Sequence, residues 1–404
     1  MTAHRHSLFS ASTYDDVRLP IDQASTLPPE VYTSQDWYNR EVERVFLKSW
    51  LVATREEEIP NPGDYVRVDF FGEPIIVVRD RQKKIHALSA SCRHRGAEVA
   101  KGKGNCRAFI CPYHGWTYGL DGALLGAPSM EQAVGFDKKQ CALPSVRAEM
   151  WGGFVFVNFD PDAEPLMTSL ADLPERFKAY RMDELVVTRK WVNKINCNWK
   201  VWVENSREGY HVPIAHRESL NRFYPGSKVE PFTARGKPGV YEINSGNNEN
   251  GLYIPRNPVF PMIDGLSDED REKTHFMIFY PHLLLNLPPD RITFHQYFPE
   301  GPEWTTLVTW CCFPKSTIAR EDFERAAPDY YAPMDLFIAE DKEICEVQQR
   351  GLRGRLAAPG RFSPKHERTV YQFVRYLLDR MIDNPPHVAT KREAATQTAD
   401  AGER

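Results

Sequence analysis

Cys92-Arg-His-Arg-Gly-Ala97 and, with sixteen residues intervening after His94, Cys111-Pro-Tyr-His-Gly-Trp-Thr-Tyr-Gly-Leu-Asp-Gly122 decide the reading of the front half of this chain. Each segment offers one cysteine and one histidine, as Cys-x-His and then Cys-x-x-His, on a loop next to a short strand. Two such loops can converge on one metal centre. Structural zinc sites more often pair C-x₂₋₄-C with H-x₃₋₅-H. One Cys and one His per loop instead suits a two-iron cluster in which two thiolates hold one iron and two imidazoles the other. A zinc knuckle, or four residues that never meet, are the alternatives.

Around these loops, Gly63 to Asp160 carries short β-branched and aromatic runs, at 65–68, 74–78, 109–110 and 154–157, parted by Gly, Asp and Asn turns. That pattern predicts a small all-β domain. Upstream, Trp37 to Leu51 has helical spacing and reads as a lead-in helix. Downstream, helical stretches near 168–182, 198–212, 334–350 and 364–383 mix with strand-like runs at 186–195, 276–287, 291–298 and 305–313. The class is therefore α+β. The expected division is a lead-in over 1–44, the cluster domain over 45–165, a catalytic domain over 166–384 and a disordered tail over 385–404. The Gly-, Pro- and Asn-rich stretch 225–275 reads as a long irregular connection.

Composition narrows the function classes. A net charge of −4 over 404 residues gives no nucleic-acid surface, and no segment reaches the roughly 18 apolar residues of a membrane span. The chain reads as soluble and cytoplasmic. Eight cysteines thinly spread over this length do not form a disulfide framework, and only Cys92 and Cys111 lie beside histidines. Cys106 has no such neighbour and reads as a small core residue.

A second constellation lies in Asn196-Cys-Asn-Trp-Lys-Val-Trp-Val-Glu-Asn-Ser-Arg-Glu-Gly-Tyr-His-Val-Pro-Ile-Ala-His216. If 198–212 is one helix, Glu204, Glu208 and His211 share a face, and Pro213 ends or kinks it so that His216 folds back. Iron(II) that must bind O₂ wants two histidines and one carboxylate on one side, with open positions on the other. Asp341 is the best carboxylate, with Glu340 and Glu343 as alternatives. A cluster-bearing electron carrier would have no use for this second set.

The segments CRHRGA and CPYHGWTYGLDGAL resemble the cluster-binding signature of the Rieske non-haem iron oxygenases, the family of aromatic-ring-hydroxylating dioxygenase alpha subunits. The sequence around Asp341 resembles that family's E-D-x-x-x-C-E-x-x-Q-x-G-L pattern. The resemblance implies a [2Fe–2S] cluster on Cys92, Cys111, His94 and His114, with Trp116 packed beneath the second loop. It implies a mononuclear Fe(II) on His211, His216 and Asp341, with Glu208 bridging the two metal sites. Asn205 and Tyr210 are supporting candidates. It further implies a Rieske β domain joined to a catalytic domain whose antiparallel sheet is flanked by helices. Head-to-tail trimers follow too, homotrimeric or α3β3 with a small subunit, as does a separate NAD(P)H-dependent reductase, with or without a ferredoxin. No G-x-G-x-x-G follows a predicted strand, so the chain does not itself collect hydride.

The substrate expected is an aromatic compound or aromatic acid, its pocket aromatics drawn from Trp202, Tyr253, Phe260, Phe276, Phe279, Phe294 and Tyr297. Glu208 where ring dihydroxylases often have Asp points instead to the runner-up, a quaternary amine of the choline, betaine or carnitine type. O- or N-demethylation is a further alternative.

Overall fold

The computed structural model describes residues 8–223, 236, 239–247 and 259–383. Tyr253 and the tail from 385 lie outside them. Ten strands build the front half: β1 (Leu51–Arg55), β2 (Asp64–Phe70), β3 (Glu73–Arg79), β4 (Ile85–Ser89), β5 (Lys103–Asn105), β6 (Phe109–Ile110), β7 (Thr117–Tyr118), β8 (Leu124–Gly126), β9 (Ser145–Trp151) and β10 (Phe154–Asn158). Seven form one sheet in the order β1-β10-β9-β4-β3-β2-β5, and β6-β7-β8 form a small second one. Cys92, Cys111, Trp116 and Tyr118 belong to a separate apolar core under the two loops. Cys106 packs half-buried against that core.

The rear half holds a six-stranded antiparallel sheet, β11-β16-β15-β14-β13-β12. Its members are β11 (Leu185–Ile195), β12 (Tyr241–Asn247), β13 (Lys273–Phe279), β14 (Leu283–Leu287), β15 (Ile292–Pro299) and β16 (Thr305–Pro314). The run expected as one strand over 276–287 is two, because Tyr280-Pro281 turns the chain and proline cannot continue a ladder. β12 falls within the stretch expected to be irregular; pairing with β13 compensates for its poor composition.

Helix α1 (Gln35–Glu41) runs on through one π turn, Val42–Phe46, and ends before Leu51, which opens β1. The lead-in helix is thus shorter than expected. The stretch 198–212 is not one helix. α2 (Trp199–Asn205) is capped by Asn198, whose side chain accepts from the Lys200 N–H, and it stops at Ser206. Pro213 then sits in the first turn of α3 (Val212–Ala215), where its fixed φ suits a helix start rather than a kink. α4 (Phe323–Leu352) passes through Pro328 and Pro333 and spans the sheet, and α5 (Arg368–Met381) closes the core.

Buried polar contacts lock these elements together. Glu41 accepts from the indole N–H of Trp37 and of Trp199, each at 2.9 Å, and pairs with Lys200 Nζ at 2.7 Å; both charges are fully buried. α1 is thereby fixed to α2. On α4, Glu346 accepts from the Asn196 N–H at 3.0 Å and Gln349 from the Asn198 N–H at 2.8 Å. These two bonds set the start of α2 against the helix that carries Asp341.

Candidate metal centres

The cluster loops are built alike. In each, the glycine four residues after the cysteine has positive φ, +79° at Gly96 and +74° at Gly115, and donates its N–H to the cysteine carbonyl. Each cysteine N–H then returns to the residue after that glycine, Cys92 to Ala97 and Cys111 to Trp116, at 2.9 and 2.8 Å. A side chain at either glycine would strain the turn. Both cysteines are buried and both histidines exposed. The imidazoles meet with Nδ1 atoms 3.1 Å apart, and His94 stacks on Trp116 at 5.0 Å. Tyr118 Oη lies 3.1 Å from Cys92 Sγ and accepts the Arg93 N–H. Two buried sulfurs behind two adjacent exposed imidazoles fit a [2Fe–2S] cluster with its histidine iron at the surface.

The second set collects at the end of α2, in α3 and on α4. His211, His216 and Asp341 bring one ligand atom each within 4.8 Å of one another. Asp341 Oδ1 lies 3.0 Å from His216 Nε2 and 3.5 Å from His211 Nε2. Each imidazole has its other nitrogen held by a carboxylate: His211 Nδ1 by Glu208 at 2.6 Å, His216 Nδ1 by Glu340 at 2.7 Å. Such outer partners fix the ring and leave Nε2 for a metal. Asn205 donates to Asp341 Oδ1 at 2.8 Å. Burial opposes charge on His211, yet Asp341 and Glu208 lift it to about 9. His216 is raised as well, against burial, by Asp341 and Glu340. Asp341 is held below the usual carboxylate range, its own burial outweighed by the two imidazoles. A bound cation would take the place of those protons. Two imidazoles and one carboxylate facing a cavity match the donor set of a non-haem iron(II) oxygenase.

Of the three acidic candidates, Asp341 faces both histidines, Glu340 braces one of them and Glu343 is exposed. Tyr210 gives its backbone N–H to Glu208, while its ring is 57 % exposed and stacks on His366 at 5.1 Å. Its phenol does not approach the donor set. Beside the donors opens a cavity of about 200 Å³. Trp202 and Phe276 line it. Phe260, Phe279, Phe294 and Tyr297 are instead core residues. Phe337 and Met334 of α4 line it too. They are unmarked in the sequence because only the helix's path over the sheet brings them there.

Fold and donor sets together define a two-centre iron oxygenase. Residues 49–146 match the Rieske [2Fe-2S] domain, and residues 182–383 match the ring hydroxylating alpha subunit (catalytic domain). The chain belongs to the Rieske non-haem iron oxygenases and carries that family's [2Fe–2S] cluster and mononuclear iron. It is 30% identical over 340 residues to the carnitine monooxygenase oxygenase subunit of Escherichia coli K12, covering 82% of this chain and 86% of that one. It is 27% identical over 391 residues to the glycine betaine monooxygenase oxygenase subunit of Pseudomonas aeruginosa PAO1, covering 90% of each. The structure of the quaternary ammonium Rieske monooxygenase CntA with L-carnitine superposes with a TM-score of 0.73 at 25% identity, over 94% of this chain and 99% of that one. No helix among the described residues is long and apolar enough to cross a membrane.

Proposed function

We propose that this chain is the oxygenase component of a quaternary-amine monooxygenase. The observation that carries the reading is the match, along more than four-fifths of both chains, to enzymes named for carnitine and glycine betaine. The site supports it. Phe276, Phe337 and Trp202 line the cavity beside the donor set, and Glu208 adds a carboxylate to its wall. A methylated ammonium head is attracted to such rings by about 0.5–2 kcal/mol each. The aromatic substrate expected from the sequence gives way to its runner-up on this evidence.

In this reading His211 Nε2, His216 Nε2 and Asp341 hold the iron, and Cys92, Cys111, His94 and His114 hold the cluster. The iron, when bound, supplies O₂ binding and activation. The chain's own residues do the rest. The apolar walls exclude water, the rings orient the cationic head, and Glu208 and Glu340 keep each imidazole's Nδ1 occupied. Substrate, O₂, two electrons and two protons give a carbinol next to the nitrogen and one water. That carbinol then parts into an aldehyde and an amine. The electrons come from a separate reductase. In a head-to-tail trimer the exposed His94–His114 edge of one protomer would face Glu208 of a neighbour; the exposure of Tyr210 and Ile214 beside Glu208 in the single chain supports this arrangement.

The test is a substrate panel with reductase supplied, following O₂ uptake and product mass. Aldehyde and tertiary amine from choline-, betaine- or carnitine-like compounds are expected. Oxidation confined to aromatic compounds would return the assignment to the ring hydroxylases.

A further inference from the structure

The cavity beside the iron donors does not end at them. A second cavity of about 160 Å³ shares Leu220, Phe276, Asn286, Met334 and Phe337 with it, so the two adjoin between the sheet and α4. Asp341 stands in the wall of the first and Tyr330 in the wall of the second, eleven residues apart on the helix, a rise of about 16 Å. That length accommodates an extended small molecule with its head at the iron.

The two cavities differ in charge. Among the described residues, the charged groups around the first are the iron donors, Glu208 and Arg207, and Arg207 is buried against Glu242. Around the second there is one charged side chain, Arg291. It sits in the turn between β14 and β15 and keeps 14 % of its side chain exposed. Its Nη1 donates to Asp290 Oδ1 at 2.6 Å, and its Cζ lies over the Tyr330 ring, 5.3 Å from the centre. Asp290 is fully buried, so it holds the guanidinium from the protein side. Thr274 and Thr293 stand in the same wall.

An arginine stays protonated at any working pH. Its five N–H groups form a rigid fork, so one guanidinium can serve an internal carboxylate and an incoming one together. Asp290 offsets the desolvation of the cation and keeps it in place before a ligand arrives. A molecule spanning both cavities therefore meets aromatic side chains next to the iron donors and a fixed cation at the far end. That order suits a zwitterion.

We propose that Arg291 is a specificity-determining residue of this oxygenase, binding the carboxylate of a quaternary ammonium acid whose chain spans the two cavities. The inference rests on the quaternary-amine reading and names its substrate class. The methylated head lies beside Phe276, Phe337 and the iron donors, and the carboxylate lies on Arg291. A single methylene between them would leave the carboxylate at the iron end, so the spacer holds three or more carbons. An alcohol such as choline offers the guanidinium no anion. Asp290 and Tyr330 are positioning residues that hold the fork.

The experiment uses the iron-replete enzyme and one matched pair: γ-butyrobetaine against n-butyltrimethylammonium, in which a methyl group replaces the carboxylate. Glycine betaine and choline complete the panel. Dissociation constants are read by calorimetry, and kcat/KM by product formation with reductase supplied. γ-Butyrobetaine is expected to lead the other three by about tenfold to a hundredfold in both. In Arg291→Gln its lead over n-butyltrimethylammonium should shrink to about twofold or less. Arg291→Lys, which keeps the charge and loses the fork, should fall between. Cluster absorbance and iron content report an intact fold. If Arg291→Gln does not fold because Asp290 is left buried without its partner, Asp290→Asn with Arg291→Gln is read the same way. If neither folds, the wild-type comparison decides alone. Equal affinities within the wild-type pair would overturn the role of Arg291 and leave the quaternary-amine reading standing. An undiminished lead in the glutamine variant, or turnover of choline or glycine betaine in preference to γ-butyrobetaine, would do the same. Absence of both binding and oxidation for all four compounds would overturn the reading itself and this inference with it.

Discussion

His282 Nε2 accepts the backbone N–H of Val52 at 2.8 Å, while Gln296 Nε2 donates to the Val52 carbonyl at 2.7 Å. The first strand of the cluster-bearing sheet is thus tied to side chains of the catalytic half at both of its backbone groups. Two side chains serve here where a neighbouring strand would otherwise serve.

That tie makes stability depend on pH. Burial holds His282 down to about 3, against about 6.5 for a free imidazole. The unfolded chain therefore takes up a proton that the fold refuses. Stability from this residue is complete above pH 6.5 and falls as pH drops toward 3, by up to about 1.4 kcal/mol per unit. Urea midpoints at pH 7, 6 and 5 should decline, and His282→Gln should flatten the decline. An unchanged slope in the variant would assign the acid sensitivity to another group.

Breaking the Glu41–Lys200 pair should be severe. With both charges fully buried, Glu41→Ala leaves an ammonium without its counter-charge and two indole N–H groups without an acceptor, at about 3–5 kcal/mol. Replacing both charges, Glu41→Leu with Lys200→Met, should recover part of that loss. Denaturation midpoints of the three proteins decide, and a Glu41→Ala protein as stable as wild type would refute the argument.

Cys92→Ser and His114→Ala should each abolish the visible absorbance and the reduced-state EPR signal of the cluster, because each removes one of the four proposed ligands. Retention of acid-labile sulfide at wild-type content in both would show that other residues hold the cluster.

Asp341→Ala should keep the cluster spectrum and lose the mononuclear iron, taking the iron content from roughly three to roughly two per chain. Asp341 is the carboxylate that faces both histidines, so Glu340→Ala should weaken iron retention less. The reverse order in metal analysis would move the ligand to Glu340.

Glu208 receives three donors: the backbone N–H groups of Tyr210 and His211 and the His211 ring at 2.6 Å. A glutamine has one acceptor oxygen, so Glu208→Gln sets its own N–H₂ against a donor and loosens the His211 ring. Both metals should remain while turnover falls about 10–100-fold. Wild-type turnover would remove Glu208 from the machinery.

The two loops proposed to hold the cluster are legible in the sequence because each is local: a cysteine, a histidine and a turn glycine within five residues. The iron donors are legible only in part. His211 and His216 stand out as a pair, but the helix expected over 198–212 breaks at Ser206, and Glu208 lies on a turn rather than on a shared helical face. Glu340 reads as a bland neighbour of Asp341, since its partner His216 lies 124 residues away in the chain. Asn286 and His295 give no local signal at all. They are polar positions in apolar strands, and their contact appears only when the sheet lays β14 and β15 side by side.

Helix α4 carries two duties at different heights. Pro328 and Pro333 lie toward one end, with Pro333 lining a second cavity of about 160 Å³ beside the first, and Asp341 stands eight residues beyond Pro333, about 12 Å further along the axis. A proline omits one rung of the helix ladder and lets the axis bend locally. Residues around it can therefore change the shape of that second cavity apart from the turn that carries Asp341. Substitutions on the turn around Pro333 should therefore alter the space farther from Asp341, while the Asp341 turn stays tied to Asn205 and to the two histidines.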